Sequence, residues 1–203
     1  MPKVALRHIL KDDIIYISST DGQPIVLHEP QNGNRPKTLQ DVEIIDVPDD
    51  TLILCVDKMS SPLFRQDDNF CQCHDQSKYR RKCDYIILTE FDCRNYLIYI
   101  EMKTSPRDPR HIPQLWCGRC FMEYLNFAME NLEHIKPSSG YLHRFVKFCK
   151  VLEDKDSTDI QGDGYKQNNK QEELNDLPGK AFLYFVTAGV PVPLKDLIYE
   201  YNH

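Results

Sequence analysis

The sequence predicts an α/β protein: a central mixed β-sheet flanked by helices, with a β-rich N-terminal part. Three observations carry that expectation. Short apolar runs separated by turn residues fill positions 1–58. Two runs rich in β-branched and aromatic residues, Cys83–Thr89 and Tyr96–Lys103, flank the polar turn Glu90–Asn95 and read as a hairpin. A helical stretch and another buried-strand run follow, and strand–helix–strand order permits a crossover back onto the same sheet. At 203 residues the chain is most simply one domain, long enough to bury a core.

Taken in order, the N-terminal runs are Ile14–Ile17, Pro24–Leu27, Val42–Ile45 and Thr51–Val56, each a short strand. Thr20-Asp21-Gly22, Asn32-Gly33-Asn34 and Pro48-Asp49-Asp50 separate them with residues that favour turns. Lys37–Asp41 is an alternative short helix. Residues 59–82 form a polar insertion, and the hairpin follows it. Pro106, Pro109 and Pro113 then make a loop, and Pro113 suits a first helical turn, so a helix is expected over Pro113–Ile135. Its apolar stripe at helical spacing runs through Cys117, Cys120, Phe121, Tyr124, Leu125, Ala128 and Leu132. Pro137–Gly140 breaks it, and a second helix is expected with Tyr141, Leu142, Phe145, Val146, Cys149 and Leu152 on one face. Residues 153–180 are polar and read as an exposed, mobile loop. Ala181–Thr187 is a buried strand, and Pro193–Tyr201 closes the chain as a short helix.

Charged residues are 28% and apolar residues 41%, the balance of a globular protein, and no apolar run approaches the length of a membrane span. No secretion signal accompanies the eight cysteines, so a reduced cytoplasmic setting is expected rather than a disulfide framework. Cys71-Gln72-Cys73-His74 and Cys117-Gly118-Arg119-Cys120 supply soft ligands. Cys71, Cys73, Cys117 and Cys120 together have the donor types of a structural zinc site. The competing reading puts Cys117 and Cys120 on the helix's apolar stripe, where thiols act as small hydrophobes.

The hairpin carries charge in unusual places. Asp84 stands at the mouth of the first strand, and Glu101 and Lys103 share one face of the second. Burying a carboxylate and an ammonium costs several kcal/mol per ion unless each has a partner. If Asp84 lies beside Glu101, two acidic oxygen donors and one cation surround a single point, a set that hard divalent ions such as magnesium accept. Asp84 with Glu101-Met102-Lys103, sixteen residues intervening between the two acids, resembles the active site of the PD-(D/E)xK nuclease superfamily, which includes restriction endonucleases and RecB-like nucleases. The usual proline before the aspartate is Cys83 here.

That resemblance implies a restriction-endonuclease-like core over residues 83–203 and a Mg2+- or Mn2+-dependent nuclease. Asp84, Glu101 and the backbone carbonyl of Met102 would hold metal, Lys103 would orient water or stabilise the phosphate, and Gln114 would help place metal or substrate. RecB-like nucleases follow that glutamine with a tyrosine four residues on, where this chain has Gly118. Gln114 is alternatively a first-turn residue bonding backbone groups. Nucleic acid, DNA rather than RNA, is the implied partner, and a phage-defence or repair complex the implied setting. Lys78, Arg80, Arg81, Lys82, Arg107 and Arg110 are the basic residues available to it, although the net charge of −6 points to a protein partner or homo-oligomer that completes the groove. The alternative is a non-catalytic or zinc-stabilised binding and assembly subunit.

Overall fold

A computed structural model describes residues 3, 6, 10, 14–17, 22–29, 41–56, 82–103, 111–132, 134, 140–150, 181–186 and 190–198. Within these lie nine strands and two helices: β1 (Ile15–Ile17), β2 (Ile25–Leu27), β3 (Val42–Ile45), β4 (Leu52–Cys55), β5 (Tyr85–Phe91), β6 (Arg94–Lys103), α1 (His111–Leu132), β7 (Leu142–Lys150), β8 (Ala181–Val186), β9 (Val192–Pro193) and α2 (Leu194–Ile198). Most of the polar insertion, with Cys71, Cys73, His74, Lys78, Arg80 and Arg81, lies outside the described residues. So do Arg107, Arg110, residues 37–40 of the alternative helix and the loop expected over 153–180.

The architecture is α/β with mixed sheets. Six strands in the order β1-β4-β5-β6-β7-β8 form the main sheet, antiparallel from β1 to β6 and parallel from β6 to β8. Strands β2, β3 and β9 form a second sheet. The N-terminal strands are therefore shared between the two sheets rather than set apart. One face of the main sheet packs against α1 through Leu97, Tyr99, Phe145, Leu115, Met122 and Leu125. The other packs against the three-stranded sheet and α2, burying Ile98, Ile100, Val146, Ile44 and Leu197. The expected helical flanks are thus corrected on that face: a small sheet supplies most of the cover. Sandwiched between layers, β4 and the middle of β6 are buried on both faces and read as continuous apolar runs.

The hairpin turn is tighter than Glu90–Asn95. Phe91 pairs with Arg94, leaving the two-residue loop Asp92-Cys93, whose φ angles of 49° and 57° are the left-handed pair such a turn requires. The parallel pairing of β6 with β7 needs a crossover, and α1 provides it.

Two expectations fail on the far side of that crossover. The second helix is instead strand β7. The run Leu-His-Arg-Phe-Val-Lys-Phe-Cys-Lys fits either period, as buried apolar runs do, and pairing on both sides with β6 and β8 decides for the strand. The phase of α1 also differs. Its buried residues are Leu115, Gly118, Phe121, Met122, Leu125 and Met129, whereas Cys117 is half-buried, Cys120 exposed and Tyr124 46% exposed. Apolar residues occur most of the way round this helix, so close approach sets its rotation. A Cβ on Gly118 would stand 2.4 Å from Cys83 Sγ and 3.2 Å from Tyr99 Cδ1, so only glycine lets the backbone come this near the sheet. Neither helix described is long and apolar enough to cross a membrane.

Candidate active site

Asp84 immediately precedes strand β5. Tyr85 stands opposite Ile100, yet the Asp84 N–H also donates to the Ile100 carbonyl at 2.9 Å, so two residues oppose one as in a β-bulge. On the other side, Val56 N–H donates to the Asp84 carbonyl at 3.0 Å. Both neighbouring strands hold the Asp84 backbone. Its side chain continues the ladder: Oδ2 accepts the Met102 N–H at 2.6 Å, a charge-assisted bond in a buried setting. Because Met102 N is bonded to the Glu101 carbonyl carbon, that contact fixes the Asp84 carboxylate against the backbone of Glu101. Asp84 is 7% exposed and Glu101 fully buried.

Glu101 lies on the face of β6 that packs beneath α1, in alternation with Leu97 and Tyr99. Its Oε1 forms an ion pair with Lys103 Nζ, two residues on along the same face. The Lys103 side chain is 20% exposed, so it links the buried acid to solvent. Asp84 thus lies against the backbone that follows Glu101, and Glu101 pairs with Lys103, at one end of the hairpin.

A fourth charged residue belongs to this centre. In the parallel register between β6 and β7, Glu101 pairs with Lys147, and alternation with Phe145 turns Lys147 to the same α1-covered face. Lys147 is 2% exposed. Reading 141–152 as a helix hid it, since helical spacing places Lys147 off the apolar stripe. The strand period, with Phe145, Lys147 and Cys149 on one face, would have found it.

The supporting residues are structural. Gln114 Nε2 donates to the Lys82 carbonyl at 3.1 Å, tying the first turn of α1 to the segment that leads into Asp84. The group it bonds is a backbone carbonyl outside the helix, not one of the first turn's own free N–H groups. Cys83 is buried beside the acids. Burial first, then the Glu101 and Asp84 carboxylates, push its thiol well up, which keeps it protonated and a poor nucleophile. Cys117 and Cys120 do not share the buried stripe of α1, and their suggested zinc partners Cys71 and Cys73 lie outside the described residues. Glu43 stands on β3 in the small sheet, which covers the opposite face of the main sheet.

No family model matches the chain, no curated protein matches it, and no solved structure matches its fold. Its chemistry has to be argued from its own residues. The Asp84 and Glu101 carboxylates are hard oxygen groups, the type that magnesium and manganese accept. Among the described residues no group of three or more His, Cys, Asp or Glu is placed to hold a metal.

Proposed function

We propose that this chain is a divalent-metal-dependent phosphodiesterase of the PD-(D/E)xK type, with a restriction-endonuclease-like core and nucleic acid, DNA before RNA, as substrate. The observation that carries the reading is the Met102 N–H bond to Asp84, which sets one acid against the backbone of the next while Lys103 pairs with Glu101. Strand order supports it as well, because one acid directly precedes the first strand of a hairpin and the other lies on the second, which leads through α1 into a parallel neighbour.

Asp84 and Glu101 would hold magnesium or manganese, joined by the Met102 carbonyl. That carbonyl points to the same side of β6 as the Met102 N–H, by the alternation of backbone groups along a strand. A bound ion there would supply a water of lowered pKa and positive charge for the developing phosphorane. The chain's own residues do the rest. Lys103, the member that reaches solvent, places its ammonium where negative charge develops on the phosphate. Asp84 is kept in position by three hydrogen bonds and costs no reorganisation when substrate arrives. Gln114 holds the segment entering Asp84.

A second reading, a non-catalytic binding or assembly subunit on the same fold, is favoured by the complete burial of Glu101 and by the net charge of −6. One comparison separates the two. Purified wild type and Lys103→Ala are incubated with single- and double-stranded DNA and RNA, with and without Mg2+ or Mn2+. Metal-dependent cutting by wild type, falling about 10²–10³-fold in a folded Lys103→Ala, supports the enzyme. Cutting that persists in the variant removes Lys103 from the mechanism, and no cutting by wild type favours the binding subunit.

A further inference from the structure

The outward side of α1 carries an apolar stripe. Trp116, Cys120, Tyr124 and Phe127 recur there at helical spacing, on the side turned away from Gly118, Met122, Leu125 and Met129, which are buried against the sheet. Three large apolar side chains are exposed among the described residues, and two of them stand on this stripe: Tyr124 at 46% and Phe127 at 65%. Cys120, one turn before Tyr124, is exposed, and Trp116 is half-buried. Scattered singly, such residues mean little; gathered on one helix face, they mark a surface that meets another molecule. Charge lines one flank of the stripe. Arg119 Nε–H donates to Glu123 Oε1 at 2.7 Å, and the guanidinium lies over the Trp116 ring, 5.6 Å from its centroid. Further along the same flank Glu130 is exposed and forms no ion pair among the described residues.

We infer that this face of α1 is a homodimer interface, on which the same helix of a second copy packs antiparallel across a two-fold axis at Tyr124. The spacing makes the stripe complementary to itself. With Tyr124 on the axis, Phe127 stands opposite the partner's Cys120, where a small thiol leaves room for the most exposed ring. A two-fold antiparallel pair also brings each flank against the same flank of its partner. Arg119 lies five residues before Tyr124 and Glu130 six after it. Arg119 therefore comes within one residue's rise, about 1.5 Å, of the level of the partner's Glu130. The axis that matches the rings thus matches the charges, twice over by symmetry. A parallel pairing would instead set the charged flank against the uncharged side that carries Cys117 and Ala128. Flanking charge pairs of this kind fix orientation and partner choice. One helix face from each copy makes a small contact, so the association is weak and is reversed by dilution. The inference is independent of the phosphodiesterase reading.

Sedimentation equilibrium of the full chain, loaded from about 1 μM to about 1 mM, tests it on wild type, Phe127→Asp, Arg119→Glu and Glu130→Arg. Far-UV circular dichroism checks that each variant keeps its fold. Wild type should dimerise within this range, and Phe127→Asp should weaken the dimer at least about tenfold. Each charge reversal sets like charges opposite one another at both ends of the contact and should weaken self-association by about tenfold. An equimolar mixture of Arg119→Glu and Glu130→Arg should recover it, because both contacts between the two variants then join opposite charges. Phe127→Asp alone carries the test should a charge variant fail to fold. A wild type that stays monomeric overturns the inference and leaves the stripe to a different protein. A dimer that Phe127→Asp does not weaken overturns it too, as does a mixture that associates no better than its components. Metal-dependent cutting is read separately, so failure here leaves the phosphodiesterase reading untouched.

Discussion

Gly118→Ala should destabilise the protein even though it replaces a glycine inside a 22-residue helix. On helix propensity alone the change would stabilise by about 1 kcal/mol. The added methyl, however, would lie 2.4 Å from Cys83 Sγ, and non-bonded heavy atoms settle at about 3.5–4 Å, so one partner has to move by roughly 1 Å. Neither moves freely. Cys83 is fully buried and directly precedes Asp84, whose backbone is bonded to both neighbouring strands, and Gly118 is gripped within α1. Overpacking of this kind costs about 1–3 kcal/mol, leaving a net loss of up to about 2 kcal/mol after the helix gain. The clash partner can be removed. In a Cys83→Ala background only Tyr99 Cδ1 at 3.2 Å remains tight, so Gly118→Ala there should be neutral or stabilising. A double-mutant cycle should give a coupling energy of about 1–3 kcal/mol. Urea unfolding reads it, followed by far-UV circular dichroism and by fluorescence of Trp116, the one tryptophan, two residues from the substitution. A Gly118→Ala protein as stable as wild type, with no coupling to Cys83, would refute the close approach that sets the rotation of α1.

Three further perturbations probe the hairpin, the acid centre and the neighbouring histidine. Cys93→Gly relieves a left-handed residue at φ 57° and creates the Asp-Gly pair such turns favour; it should stabilise by about 0.5–1 kcal/mol in urea unfolding at unchanged m. Asp84→Ala strips the acceptor from the buried Met102 N–H and should cost about 1–3 kcal/mol, whereas Asp84→Asn keeps an oxygen there; the asparagine variant should retain most stability and lose metal-dependent cutting. Burial, then the charges of Arg119 and Arg144 against that of Glu123, hold the His143 imidazole below its ordinary value, so the unfolded chain takes up that proton at higher pH than the fold does. Stability from neutral His143 is complete above about pH 6.5 and is lost as pH falls towards the folded value, so wild type should lose more urea resistance than His143→Gln between about pH 7 and pH 5.

Strand periodicity gave the hairpin and its acids in advance, because in a buried sheet a charged residue stands out against Ile98, Ile100 and Met102. The same rule would have revealed Lys147, had β7 been distinguishable from a helix. It was not, since Phe145, Val146, Phe148 and Cys149 satisfy both periods and only pairing with β6 and β8 selects one. The rotation of α1 was hidden for a related reason: Phe121 and Leu125 belong to both possible stripes, and the choice was made by Cys83 and Tyr99, far away in sequence. Likewise the pairing of β3 with β9 joins residues 44–45 to 192–193, a contact no local pattern announces. What depends on one element's own period was legible. What depends on two elements meeting was not.

The exposures at the centre have an order that bears on how an acidic protein would receive an anionic substrate. Glu101 is sealed, Lys147 and Asp84 are 2% and 7% exposed, and the Lys103 side chain is the most open at 20%. A phosphodiester approaching from solvent would therefore meet an ammonium before it met a carboxylate. Had the order been reversed, buried amines behind an exposed acid, the first contact would be repulsive and a bound cation would be needed before any encounter. Charges more than about 8–10 Å away are largely screened at physiological salt, so the −6 carried by the whole chain weighs less on that first contact than Lys103 does. Net charge governs how readily nucleic acid collects on the surface. On the phosphodiesterase reading, the local charge matters more for a single phosphate, and the most exposed charge of this group is the Lys103 ammonium.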